Sequence, residues 1–289
     1  MGAMALALRP RQWIKNVLVF AGLLFTLGQG HPLTDYAKAV AAFVVFCLLS
    51  SCGYLVNDLR DLAKDRLHPH KRLRLLASGA VSPRTAVWFV SVALPATLLV
   101  AYVVSPGLFA VGALYFAVTT AYTLHLKNIV VVDVMVVASG FVLRAIAGSV
   151  TVGVDPSGWL LLCTGLLALF VALNKRRGEI VTLGDASPTR PILSEYSVAL
   201  LDQMITITAS CCIIAYSLYT FFSETGRHRP YLMATIPFVL YGIFRYLYLA
   251  NRHNQGEAPE LVLAGDGPLR INLLLWTVTA AAALLIRAR

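Results

Sequence analysis

The sequence predicts an all-α integral membrane protein, a bundle of about nine transmembrane helices with a cytoplasmic N-terminus. Three observations lead there. Hydrophobic residues make up 58% of the 289, charged residues only 13%, and the mean hydropathy is +0.73, a composition suited to lipid rather than water. Nine apolar runs approach the ~20 residues that a bilayer-crossing helix needs. Lysine and arginine fall overwhelmingly on one side of those runs.

The first run is Trp13–Leu27. It follows Met1–Arg9, which does not read as a signal peptide because Pro10-Arg11-Gln12 interrupts it before any long apolar stretch. Leu6 stands at the position where myristoylation needs Ser or Thr. Tyr36–Val56 is the second run. Thr85–Val104 and Leu108–Leu124 follow, joined by a tight turn at Pro106-Gly107. Ile129–Val150 and Trp159–Leu173 flank a second turn at Asp155-Pro156-Ser157-Gly158. Ala199–Phe222, Tyr231–Ala250 and Leu269–Ile286 complete the set. Pro95 and Pro237 lie inside runs and predict kinks, which embedded helices tolerate when neighbours satisfy the freed carbonyls. The five cysteines all sit in apolar runs and read as reduced packing residues. The whole chain, 1–289, reads as a single transmembrane domain.

With the N-terminus inside, eighteen basic residues fall on the cytoplasmic side and five opposite, with Arg144 left within a span. That asymmetry gives N-in and C-out. The net charge of +10 is then a one-sided surface that suits anionic headgroups. Nucleic acid is excluded as a partner, because no soluble basic domain is present to bind it. The periodicity does not fix oligomeric state, and a homo-oligomer is compatible with it.

Three polar clusters lie on the predicted cytoplasmic side. The first is Asn57–Gly79, NDLRDLAKDRLHPHKRLRLLASG, at the end of the second run. Asn57, Asp61 and Asp65 recur every four residues and Asp58 lies three before Asp61, so on a helix all four side chains can look into one space. Carboxylates so placed repel unless a cation joins them, and an all-oxygen set suits Mg²⁺ with positions open for substrate phosphates. The bases that follow, including Lys71, Arg72 and Arg74, suit those phosphates. The second cluster is Tyr122, His125, Lys127, Asn128 and Asp133. Lys127 alone reads equally as an interfacial anchor, but Asp133 is flanked by apolar residues and must face a cavity or a partner. Arg144 lies eleven residues on, on the same helical face, so the two form a structural pair or line a ligand groove. The third cluster is Asn174, Lys175, Arg176, Arg177 and Glu179, a positive-inside anchor or a phosphate clamp.

NDLRDLAKD resembles the NDxxDxxxD signature of the UbiA superfamily of membrane prenyltransferases. Within it, HPHKRLRLLASG resembles the HPxKRxRPxAxG of the decaprenyl-phosphate phosphoribosyltransferase branch. YTLHLKNIVVVD, SGFVLRAIAG and NKRRGE are similar to that branch's later segments. The resemblance covers most of Asn57–Glu179 and implies a UbiA-like bundle with a cytoplasmic active site in a bacterial plasma membrane of actinobacterial type. It implies transfer of 5-phosphoribose from 5-phosphoribosyl-1-diphosphate (PRPP) to a polyprenyl phosphate such as decaprenyl phosphate, feeding cell-wall arabinan. By position, Asn57, Asp58, Asp61 and Asp65 would hold Mg²⁺ against the leaving diphosphate. Lys71, Arg72 and Arg74 would grip donor phosphates, Tyr122, Lys127 and Asp133 would line the cavity, and Lys175, Arg176 and Glu179 would close it. Two departures stand out. The superfamily's second aspartate-rich motif reads NKRRGE here, basic rather than acidic, which favours an anionic acceptor. Leu75 replaces the branch's usual proline. Two other readings remain: a prenyltransferase moving an isoprenoid from its diphosphate to an aromatic acceptor, and a non-enzymatic lipid-phosphate binder or transporter.

Overall fold

Among the residues that the computed structural model describes (2–26, 30–67, 71–183, 191–252 and 265–286) every regular element is a helix. His68-Pro69-His70, Arg190, most of the connection after Arg252, and Arg287 and Arg289 lie outside the described residues. The chain packs as two compact units, Met1–Leu24 with His31–Pro156, and Phe25–Gly30 with Ser157–Arg289.

In the first unit a short α1 (Gly2–Ala7) leads into a 3-10 helix (Pro10–Phe20), continued by α2 (Ala21–Phe25) up to the unit's edge. Then come α3 (Leu33–Arg60), α4 (Leu62–Leu67), α5 (Pro83–Val104), α6 (Pro106–Leu124) and α7 (Val132–Thr151). The second unit holds α8 (Gly158–Leu183), α9 (Val198–Phe222), α10 (Glu224–His228), a 3-10 turn (Pro230–Thr235), α11 (Ile236–Arg252) and α12 (Gly267–Leu285). Eight helical segments among the described residues are long and apolar enough to cross a bilayer, four in each unit. The chain is a multi-pass membrane protein.

The ninth expected span, Trp13–Leu27, takes a different form. Its first eleven residues are 3-10 helix, not α. At ~2.0 Å rise per residue against ~1.5 Å for α, Pro10–Phe25 still extends about 30 Å, close to a hydrocarbon thickness. The reason lies in the side chains. In a 3-10 helix residues three apart eclipse, which stacks Trp13, Asn16, Val19 and Gly22 into one stripe. Asn16, Val19 and Gly22 are buried. Asn16 donates to Ser50 Oγ (3.3 Å) and Cys47 Sγ (3.3 Å) on α3, and Trp13 Nε1 donates to Ser51 Oγ (3.1 Å). The Val19 carbonyl lies where a Cβ on Gly148 would be, and Gly22 meets Ser149, so α7 can approach only because both glycines lack a side chain.

The helix α3 is the core of its unit, packed on α5, α6, α7 and the 3-10 segment. Phe46, Leu49, Val45, Leu108, Tyr115 and Ala147 form its central cluster. At its far end α1 and Val81, Ala86 and Phe89 cover Leu55 and Leu76, fixing the chain that carries the first polar cluster. In the second unit α8 packs along α9, and Tyr216 links α9 to Thr235 Oγ1 (2.7 Å) and Trp276 Nε1 (2.9 Å). Pro237 falls in the first turn of α11, so the expected kink is a change from 3-10 to α where proline costs no hydrogen bond. Asp266 caps α12 through Leu269 N–H (2.8 Å) and pairs with Arg245 (2.8 Å). That guanidinium holds its carboxyl below the usual range.

Candidate active site

At one end of the first unit, the C-terminus of α3, α4, the turn after Lys71–Leu73, and the connection from α6 to α7 meet around the aspartates. α3 runs past Val56 and ends at Arg60, so Asn57 and Asp58 occupy its last turn. Asp61 interrupts the helix with φ −91° and ψ 4°, and α4 resumes at once. The four-residue spacing survives the break, since Asp61 N–H donates to the Asn57 carbonyl (2.9 Å) and Asp65 N–H to that of Asp61 (2.8 Å).

The spacing predicts one shared space for the acids. Protein cations sort them into two groups. Nη1 of Arg74 bridges Asp58 Oδ1 (3.2 Å) and Asp65 Oδ2 (2.6 Å). Arg9 adds a second partner to Asp58, its Nη2 lying 2.6 and 2.7 Å from the two carboxylate oxygens. Lys127 Nζ reaches Asp61 instead, at 2.9 and 3.1 Å. Among the described residues no three of His, Cys, Asp or Glu converge as a ready metal-binding group. Asp58 and Asp65 nevertheless meet on a single cationic nitrogen, a stand-in for a shared cation, and both are hard oxygen donors. The pair therefore fits a divalent ion that leaves positions for phosphates.

Lys71 is half-buried and Arg72 exposed, in the 3-10 turn that leads into Arg74. Tyr122 is half-buried near the end of α6. Asp133 is wholly buried in the first turn of α7, where the helix N-terminus favours a carboxylate. Val131, just before it, has φ 68°, a strained conformation for a β-branched residue. Arg144 is not gathered with the aspartates. Its Nε donates to Asn16 Oδ1 (2.7 Å), Nη1 to the Gly140 carbonyl (2.7 Å) and Nη2 to Tyr115 Oη (2.8 Å), with the guanidinium over the Tyr115 ring. Arg144 thereby ties the 3-10 segment and α6 to α7.

The third cluster belongs to the second unit. Asn174 donates to the Phe170 carbonyl (2.8 Å). Arg176 and Glu179, both buried, pair at 2.5 Å, and Arg177 pairs with Asp202 of α9 at 2.5 Å. Lys175 is half-buried, and among the described residues no acid pairs with it.

Sequence reasoning missed two residues. Arg9 counts in the sequence only as one of several interfacial bases. Its signal is structural: φ 55° and ψ 59°, an uncommon left-handed conformation and one disfavoured before proline. Asp202 carries a readable signal, a lone acid near the start of the apolar run Ala199–Phe222.

Residues 16–274 match the UbiA prenyltransferase family. The chain is 36% identical to a decaprenyl-phosphate phosphoribosyltransferase of Mycolicibacterium smegmatis, over 96% of this chain and 91% of that one. A protein of the same name from Corynebacterium glutamicum is 35% identical, over 93% and 83%. A UbiA homolog from Archaeoglobus fulgidus, solved bound to GPP and Mg²⁺, has the same fold: TM-score 0.73 at 18% identity, covering 98% of this chain and 100% of that one.

Proposed function

Because this chain belongs to the UbiA prenyltransferase family, we propose that it transfers 5-phosphoribose from PRPP to a polyprenyl phosphate such as decaprenyl phosphate, releasing diphosphate. The observation that carries this reading is its identity, above a third over nearly the full length, with enzymes named for a phosphoribosyl transfer to decaprenyl phosphate. The site chemistry supports it. Buried Asp58 and Asp65 and half-buried Asp61 are paired with Arg9, Arg74 and Lys127, a set suited to a metal-associated diphosphate.

Asp58 and Asp65, with Asn57 and Asp61, would hold Mg²⁺, which when bound supplies Lewis-acid neutralisation of the departing diphosphate. Arg9, Arg74, Lys71 and Arg72 act on the same developing charge as hydrogen-bond donors. As the anomeric carbon–oxygen bond to diphosphate loosens, the sugar takes on oxocarbenium character, and a lipid-phosphate oxygen forms the new bond. That oxygen is already anionic, so no strong general base is required. Lys175 neutralises the acceptor phosphate. The apolar tail lies against the lipid-facing helices, in the plasma membrane, with this end of the bundle towards the cytoplasm.

The test incubates purified protein in lipid nanodiscs with labelled PRPP, decaprenyl phosphate and Mg²⁺. Labelled lipid product is expected, and Asp58→Ala and Asp61→Ala should each lower its formation by about 10²–10³-fold while eluting as the folded protein does. Consumption of a polyprenyl diphosphate with PRPP untouched would overturn the reading. Full activity in a folded Asp61→Ala would remove that residue from the site.

A further inference from the structure

Each carboxylate of the first cluster is met by a basic side chain from another segment, and together they balance. Asp58, Asp61 and Asp65 face Arg9, Arg74 and Lys127, three formal charges of each sign. The partners differ in how they are held. The side chains of Asp58 and Asp65 are 7% and 5% exposed and ride on helices. Those of Arg9 and Arg74 are 30% and 28% exposed and reach in from chain between helices. A divalent cation shared by Asp58 and Asp65 needs the position that Arg74 Nη1 now holds, so Arg74 must give way. The acids are the more buried partners and the arginines the more exposed ones.

Resting on the function proposed above, we infer that Arg9 and Arg74 are exchange cations, which leave Asp58 and Asp65 when metal arrives and become ligands of the donor's diphosphate. Charge balance makes the two ligands interdependent. A divalent ion alone adds two positive charges to a balanced, largely buried cluster and displaces arginines with no new anion to meet, an arrangement penalised in a medium of low polarity. Diphosphate alone finds the arginines already engaged. Arriving together, metal and diphosphate let every carboxylate and every guanidinium exchange one partner for another. The site therefore takes a metal–diphosphate unit rather than metal first. Arg9 enters as a donor-binding residue from the stretch before the first apolar run, and its stacking over Tyr54, with the ring 5.1 Å away, offers a pivot for the swing.

Calorimetric titration of the nanodisc-embedded protein tests this with three ligands: Mg²⁺ alone, diphosphate alone in chelator, and preformed magnesium diphosphate. The complex should bind the wild type at least tenfold more tightly than either component. Arg74→Gln and Arg9→Gln should shift the two arms in opposite directions, tightening Mg²⁺ alone at least threefold and weakening magnesium diphosphate at least tenfold. A merely structural role would weaken both arms together, and that outcome in both variants overturns the exchange. Equal wild-type affinity for Mg²⁺ with and without diphosphate also overturns it, leaving the catalytic reading in place. A wild type that binds none of the three removes both.

Discussion

Three bases of the third cluster carry the same charge and have different fates. Arg176 is taken by Glu179 and Arg177 by Asp202, while Lys175 finds no acid among the described residues. The sequence reads NKRRGE as a positive-inside anchor or a phosphate clamp, and the geometry leaves the lysine as the base that no acid among the described residues engages. A charge-assisted hydrogen bond to phosphate contributes about 1.5–3 kcal/mol. Lys175→Ala should therefore raise the KM for polyprenyl phosphate tenfold or more and leave the KM for PRPP within about twofold, in steady-state assays varying each substrate. An unchanged acceptor KM would reassign Lys175 to anchoring. Arg144 teaches the converse. Its position in an apolar run calls for a partner, but only the tertiary structure supplies Asn16, Gly140 and Tyr115.

At the scale of elements, the span that departs from expectation is the informative one. Pro10–Phe25 has a length that fits a membrane-crossing segment, and its period-three stripe was present in the sequence. What the stripe meets could not be read there. Val19's carbonyl sits against Gly148, far away along the chain, and α3 and α7 offer Asn16 its partners. A methyl at Gly148 collides with backbone that has nowhere to move, and overpacking of this kind costs about 1–3 kcal/mol. Gly148→Ala should lower the melting temperature in a thermal-shift assay. Gly158→Ala, where a Cβ meets nothing within 4 Å, should leave it unchanged. Equal melting temperatures for both variants would mean the 3-10 segment is not pinned there.

At the scale of the whole molecule, eight long apolar helices among the described residues fall four to a unit, and the candidate diphosphate site belongs to the first unit while Lys175 belongs to the second. The orientation of this bundle rests on the basic asymmetry, eighteen against five. A cysteine at exposed Arg72, in a background with the native cysteines replaced, should react with an impermeant maleimide only in inside-out vesicles. Labelling from the outside of intact cells would reverse the topology and place the site away from cytoplasmic sugar diphosphates.

The sequence by itself determined the class of the protein, its apolar spans and the identity of its acid cluster. Hydropathy and helical spacing are local properties, readable over twenty residues, and the family motif is carried by consecutive side chains. Tertiary structure decided which cation serves which acid. Arg9 meets Asp58 across 49 positions and Lys127 meets Asp61 across 66, and no local period encodes such pairs. The long-range packing of α3 against its neighbours brings them within hydrogen-bond reach. It is also what turns the motif's three aspartates, Asp58, Asp61 and Asp65, into one pair shared by Arg74 and one acid held by Lys127.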